Sequence, residues 1–246
     1  MTLSFDHTTL GQRVLFGRGS AAENAAKVAR EFGSERVLLI ADAFAMELSD
    51  AIARQVNVVE RIHDIVQHVP LERADAATML AENTRADAII TIGGGSSTGL
   101  AKIVALRTGL PIIAVPTTFA GSEATDVWGL TEANRKSTGT DPRVLPKAIV
   151  YDVTLSTGLP AQLAVSSGLN ALAHAVDGFW APRADPINVA LGTEGVRSLV
   201  PGLRGLVKDP ADLGAREQTL FGAYLAAVAF ASAGSGMHHK ICHALG

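Results

Sequence analysis

The feature that most constrains this chain is an alternation running through its first 155 or so residues. Short, nearly all-apolar runs are separated by stretches with helical spacing. "RVLFG" (13–17), "RVLLIAD" (36–42), "DAIITIGGG" (87–95) and "LPIIAVPTT" (110–118) read as strands. "SAAENAAKVAREFG" (20–33), "ERADAATMLAENTRA" (72–86) and "STGLAKIVALRTG" (97–109) read as helices. A strand that is apolar at nearly every position has no solvent face, and strands joined through helices do not form hairpins. The pattern predicts a parallel sheet covered on both faces. Ser20 and Gly33 are the expected N- and C-caps of the first helix.

After "YDVTLSTGLP" (151–160) the β-branched runs stop. Ala- and Leu-rich sequence of helix length follows, with Pro and Gly expected to break it at 182–186, 201–205 and 210–214. A boundary is therefore expected near Pro160, with an α/β domain over 1–158 and an all-α domain over 159–246. The most apolar run, "TLFGAYLAAVAFASAG" (219–234), is shorter than the roughly 20 residues a bilayer span needs. Its small residues suit a helix packed closely in a core, so no membrane association is expected. The chain ends on "ICHALG" inside a helical pattern without a cap, and a C-terminal portion is expected to be missing.

Composition enters mainly by exclusion. A net charge of −3 gives no reason to expect nucleic acid or an anionic membrane as partner. "MTLSFDHTTLGQ" has no basic flank followed by an apolar stretch, so no secretory signal is expected. The single cysteine, Cys242, excludes an internal disulfide and fits a reducing cytoplasm.

"AIITIGGGSSTGLAK" reads as strand, glycine turn, helix. Glycines let the backbone approach a ligand, and the first N–H groups of the following helix face an anion. Gly94, Gly95, Ser96 and Ser97 are the candidate phosphate-binding residues. The spacing is not the usual dinucleotide fingerprint, since Thr98 stands where the third glycine belongs, nor is it a P-loop. A tight turn without ligand is the competing reading. "AVPTTFAGSEAT" ends a strand with Thr117 and Thr118, and Asp42 ends another. In an open α/β sheet, ligands bind outside the carboxyl ends of the strands. An acid there accepts from a ribose diol and repels a 2′-phosphate, which favours NADH, with NADPH as the alternative.

In "GLNALAHAVDGFW" (168–180), Asn170, His174 and Asp177 fall at i, i+4 and i+7, one face of a helix. In "GMHHKICHALG" (236–246), His239 and His243 are four apart. Two histidine-bearing helices look like the start of a metal site, yet the first position carries an amide. His7, His63 and His68 have no such partners and are expected at the surface. For Asp177 the sequence leaves a pocket role and a surface role open.

"GGGSSTGLAK", "PTTFAGSEAT", "GLNALAHAVDGFW" and "HHKICHALG", in this order, resemble the iron-containing alcohol dehydrogenase superfamily, and within it most of all the maleylacetate reductases. The resemblance runs from "VLFGRG" to "HALG". It implies a dehydroquinate synthase-like architecture, with a nucleotide-binding α/β domain, an all-helical domain, and the active site in the cleft between them. It also implies a further C-terminal stretch carrying another His segment. Metal-dependent members have Asp-x-x-x-His where this chain has Asn170 and His174, with His239 at the next ligand position.

A neutral amide is a poor substitute for an anionic ligand of a divalent first-row ion, and the resembled reductases work without metal. No catalytic metal is therefore expected. The implied activity is NAD(P)H-dependent reduction of the C=C bond of a dicarboxylate, maleylacetate, in aromatic-compound degradation. His243 is the expected general acid, with His239, His174 and Asn170 lining the same pocket. The resemblance also places Lys147 near the nicotinamide ribose, Lys102 at a family-shared position, and a homodimer as the assembly. Arg183 and Lys240 are candidate carboxylate binders. Two rival readings remain at this stage, a metal-dependent alcohol or glycerol dehydrogenase and a non-catalytic nucleotide-binding protein.

Overall fold

The computed structural model describes residues 2–133, 135–237 and 241. Its strands are β1 (Arg13–Phe16), β2 (Val37–Ala41), β3 (Val58–Ile62), β4 (Ala88–Gly93), β5 (Ile112–Pro116), β6 (Val127–Glu132), β7 (Arg135–Thr140) and β8 (Ala148–Tyr151). Its helices are α1 (Ala21–Glu31), α2 (Met46–Ala53), α3 (Leu71–Asn83), α4 (Gly95–Thr108), α5 (Ala161–Trp180), α6 (Pro186–Lys208) and α7 (Leu213–Ala233).

Six strands form a parallel sheet in the order β1-β8-β5-β4-β2-β3. Successive residues of β2 serve opposite faces. Leu39 joins Ile90, Ile92, Val115 and Val150 beneath Ala25 and Val28 of α1 and Ile52 of α2. Leu38 and Ile40 join Ile89 and Ile112 beneath Ala77 and Ala81 of α3 and Leu100 and Val104 of α4. Each fully buried Leu or Ile contributes roughly 1.5–3 kcal/mol, so both faces need apolar residues and the runs are continuous. Two strands have weaker sequence signals: β3 carries Glu60 and Arg61 at a half-buried edge, and β8 is only four residues long. The β6–β7 hairpin is antiparallel and largely exposed on β7, "RKSTGT", which has no apolar residue for a pattern to catch.

The start of α1 corrects one expectation. Ser20 makes no cap; its hydroxyl instead accepts from Asn24 Nδ2 at 3.0 Å. The carboxylate of Asp152, just past β8, takes the N–H groups of Gly19 (2.9 Å) and Ala21 (3.1 Å). Gly33 does close the helix, with φ +71° and its N–H bonded to Arg30 O. Before α3, the chain passes through positive φ at His68 (64°) and at the buried Val69 (46°). A β-carbon on Gly99, in the first turns of α4, would lie 2.9 Å from Val69 Cγ2.

The chain divides into two compact units. One comprises Gln12–Thr117 and Asp126–Leu155 and holds the sheet. The other comprises Met1–Gly11, Thr118–Thr125 and Ser156–Gly246 and holds α5, α6 and α7. Two segments that a single cut after residue 158 assigns to the first domain thus group with the helices. One reason for the N-terminal segment is specific. His7 is not at the surface: its Nδ1 lies 2.7 Å from Asp185 Oδ2, with both side chains buried. Asp185 also caps α6, accepting from Ile187 N and Asn188 N.

The glycines and proline at 201–205 do not break a helix. Pro201 lies inside α6, where it forgoes one backbone bond. Gly202 is there for proximity: a β-carbon would fall 2.5 Å from Thr219 Oγ1 and 2.8 Å from Thr219 N on α7. Gly222 on α7 answers from the other side, against Gly195 O at 2.8 Å. The small residues of α7 serve close packing, as their composition implied. Among the described residues no helix is long and apolar enough to cross a membrane.

Candidate active site

In the α/β unit the backbone does most of the construction. β4 delivers Gly93 at φ +148°, a conformation L side chains rarely adopt. A β-carbon there would stand 2.1 Å from Asp42 Oδ2 and 2.3 Å from Ser97 Oγ, so the turn closes around bare backbone. Asp42 follows β2, and its Oδ2 accepts from Gly94 N at 3.3 Å. Thr117 follows β5, and its N–H bonds Gly93 O at 3.0 Å. Asp42, Gly94, Gly95, Ser96, Ser97 and Thr117 therefore share the carboxyl edge of the sheet.

Helix α4 begins at Gly95 with no side-chain cap, so its first N–H groups have no intrahelical acceptor. The buried hydroxyls of Ser97 and Thr117 have no hydrogen-bond partner among the described residues. Leaving a buried hydroxyl unpaired costs roughly 1–3 kcal/mol. Uncapped N–H groups, two orphaned hydroxyls and a turn without side chains fit a bound phosphate, and a dinucleotide pyrophosphate is of that kind. Thr118 falls in the Thr118–Thr125 segment of the other unit.

Lys147 is a correction. Its N–H bonds Ile112 O and its carbonyl accepts from Arg13 N, which puts it at the amino ends of β5, β1 and β8. The four residue-to-residue steps from Ile112 to Pro116 separate it by roughly 13 Å from the edge that carries the glycine turn. It is exposed there and takes no part in the phosphate site. Lys102 is fully buried and donates Nζ to Val127 O at 2.8 Å, tying the β6–β7 hairpin to α4.

In the helical unit the construction is by side chains. Asn170 and His174 share one face of α5, with Asn170 Nδ2 3.5 Å from His174 Nε2. The amide is exposed and the imidazole buried. The His174 ring lies 4.8 Å from that of Phe230 on α7. On its other side runs the "FAGSE" segment. Gly121 there has φ +78°, and a β-carbon on it would meet Ala227 Cβ at 2.8 Å and His174 Nδ1 at 3.4 Å. Phe230 and Gly121 were not legible as site residues, because each acts by packing. Asp177 is fully buried and accepts from Trp180 Nε1 at 3.2 Å, which removes the surface alternative. His239, His243 and Lys240 lie outside the described residues. Arg183 is committed to the end of α7, donating to the carbonyls of Ser232 (3.0 Å) and Ala231 (3.5 Å).

The donors present at the first two metal positions are an amide and an imidazole. A divalent first-row ion draws its affinity from anionic or imidazole ligands, and an exposed amide oxygen contributes little. Among the described residues no group of three His, Cys, Asp or Glu side chains is placed to hold a metal ion.

Glycine turn, carboxyl-edge acid and helical unit together define a class, the dinucleotide-dependent dehydrogenases with an α/β and an all-helical part. Comparison with known proteins agrees. Residues 11–153 match the family model for iron-containing alcohol dehydrogenase, and residues 164–246 match its C-terminal counterpart. The maleylacetate reductase of Pseudomonas knackmussii is 41% identical over 99% of this chain and 70% of its own length. Maleylacetate reductase 1 of Cupriavidus pinatubonensis is 40% identical over 96% of this chain and 67% of its own. The crystal structure of an iron-containing alcohol dehydrogenase from Corynebacterium glutamicum superposes with a TM-score of 0.96 at 48% identity, covering all of this chain and 69% of the other. That of maleylacetate reductase from Agrobacterium tumefaciens gives 0.94 at 35%, covering all of this chain and 70% of the other. The chain belongs to the iron-containing alcohol dehydrogenase family. It is an oxidoreductase, and it spans about 70% of the length of these relatives.

Proposed function

We propose that this chain reduces the carbon–carbon double bond of maleylacetate to give 3-oxoadipate, with NADH as reductant and no catalytic metal. The observation that carries the reading is the uncharged amide of Asn170, 3.5 Å from His174, where metal-dependent relatives would place a carboxylate beside the histidine. The identity to maleylacetate reductases over nearly the whole chain supports it.

The double bond of maleylacetate is conjugated with a ketone and a carboxylate. Bound NADH supplies a hydride, which this substrate accepts at the carbon β to the ketone. Negative charge then collects on the ketone oxygen as an enolate, far less basic than the alkoxide an alcohol dehydrogenase must hold. Hydrogen-bond donors suffice for that load, and removing one typically costs about 10²–10³ in rate. His243 is assigned as general acid, since imidazole titrates near neutrality; His239, His174 and Asn170 line its pocket. Gly94, Gly95, Ser96, Ser97 and Thr117 cradle the pyrophosphate, with Thr118 as a further contact, and Asp42 faces the adenosine ribose and favours NADH over NADPH. The place of the reaction is the breakdown of aromatic compounds in the cytoplasm, by a homodimer.

The test is NADH oxidation with maleylacetate on the full chain, with and without a chelator. Turnover indifferent to chelation is expected; activity lost to the chelator and restored by zinc or iron overturns the metal-free reading. His243→Ala is expected to lower kcat by about 10²–10⁴ with the NADH Kd nearly unchanged, and near-normal turnover removes His243 from its role.

A further inference from the structure

We propose that Asp177 is a positioning residue, clamping the helix that carries Asn170 and His174 to the turn from which the chain runs into His239. The inference rests on the catalytic reading of those residues given above.

Asp177 lies one helical turn beyond His174 on the same face of α5 and is fully buried. A buried carboxylate is expensive unless donors surround it, so its retention on this face calls for a reason. One donor is the Trp180 indole, 3.2 Å from Oδ1. Trp180 as a residue is 59% exposed, so it fills little of the core while its Nε1 serves the acid.

The other side of the carboxylate is more telling. A β-carbon on Gly236 would lie 2.5 Å from Asp177 Oδ1 and 2.7 Å from Cγ. Gly234 has a positive φ of 90°, but Gly236 does not, so backbone freedom fails to explain the second glycine. Room for the carboxylate does. The chain leaving α7 is thus held twice, by the Arg183 guanidinium on the Ser232 and Ala231 carbonyls and by Asp177 against Gly236. His239 follows three residues later in the sequence. Asp177 ties α5 to the chain at Gly236 through contact, without touching substrate.

Two variants attack the clamp from opposite sides. Asp177→Asn keeps the shape and an oxygen for Trp180 but removes the charge; Gly236→Ala leaves the acid and fills its space. Each is expected to lower kcat for maleylacetate at least tenfold while the NADH Kd stays within twofold. Asp177→Glu, which keeps the charge, is expected to retain part of the kcat that Asp177→Asn loses. Hydrogen exchange at the amides of residues 234–237 is expected to be at least tenfold faster in both variants, a readout that does not require the substrate to be right. An inactive wild-type chain removes the proposed reaction and leaves the exchange measurement to decide the clamp. Wild-type kcat with wild-type exchange rates in both variants overturns it, as does a fall in melting temperature with kcat per folded molecule intact.

Discussion

The two units assemble their candidate chemistry from different material. In the α/β unit the working parts are peptide groups: a glycine turn, the uncapped start of α4, and strand ends that bring Asp42 and Thr117 to it. In the helical unit they are side chains, an amide and an imidazole set by a ring on α7 and a glycine on a distant loop. A peptide-built site depends on shape and tolerates much side-chain change around it. A side-chain site can change its chemistry with one residue, and under the proposed metal-free reading Asn170 is that residue. The family resemblance therefore carries nucleotide binding across easily, while the proposed choice of hydrogen bonds over metal rests on a single position.

Substitutions that separate the units test the contrast, beginning with the largest effect. Gly93→Ala places a methyl on Asp42 and Ser97 from a backbone conformation alanine resists. Overpacking of this kind costs about 1–3 kcal/mol before the strained φ is added, and the NADH Kd measured by fluorescence titration is expected to rise about 100-fold or more. An unchanged Kd would mean the phosphate lies elsewhere. Asn170→Asp acts in the other unit: elemental analysis is expected to show zinc or iron affinity raised at least about tenfold, with the NADH Kd untouched. If the variant binds metal no better than wild type, the amide is not what decides.

Asp185→Ala probes the frame of the helical unit, not its chemistry. Burial pushes the Asp185 carboxyl up, but the Asn188 N–H, His7 and the Ile187 N–H outweigh it and leave it below the usual carboxylate range. A depressed folded value stabilises the fold above the unfolded value, and the gain disappears as pH falls through the folded one. Loss of this cap is expected to cost about 1–2 kcal/mol in chemical denaturation above about pH 5, closing below about pH 4. A gap that widens in acid would reverse the sign. Ser97→Ala has the smallest effect. It removes an unpaired hydroxyl, so stability is expected to hold, while NADH affinity falls by about 0.5–1.5 kcal/mol. Loss of stability without loss of affinity would make Ser97 structural.

How much of this was legible in the sequence follows from the same contrast. Continuous apolar runs and the glycine turn are local signals, and they gave the sheet, the helical second part and the turn at the sheet's carboxyl edge that the proposal assigns to phosphate. Local patterns carry no information about contacts far apart in the chain. Hence His7 looked solitary although Asp185 holds it, Ser20 looked like a cap although Asp152 supplies one, and Gly202 looked like a break although α7 presses on it. Lys147 shows the limit of reading by resemblance: matching a motif position did not reveal which edge of the sheet the residue occupies.

Val69 is a β-branched residue held in the left-handed region and packed against Gly99, near the start of α4. Such a conformation costs on the order of 1–3 kcal/mol and persists only where its surroundings enforce it. Relaxing it is thus a ready route to a hardier protein, and selection for heat tolerance alone would take that route early. The same relief would loosen the brace behind the helix start to which the proposed function assigns the cofactor, so sturdier descendants of this chain are expected to need more nucleotide to fill it.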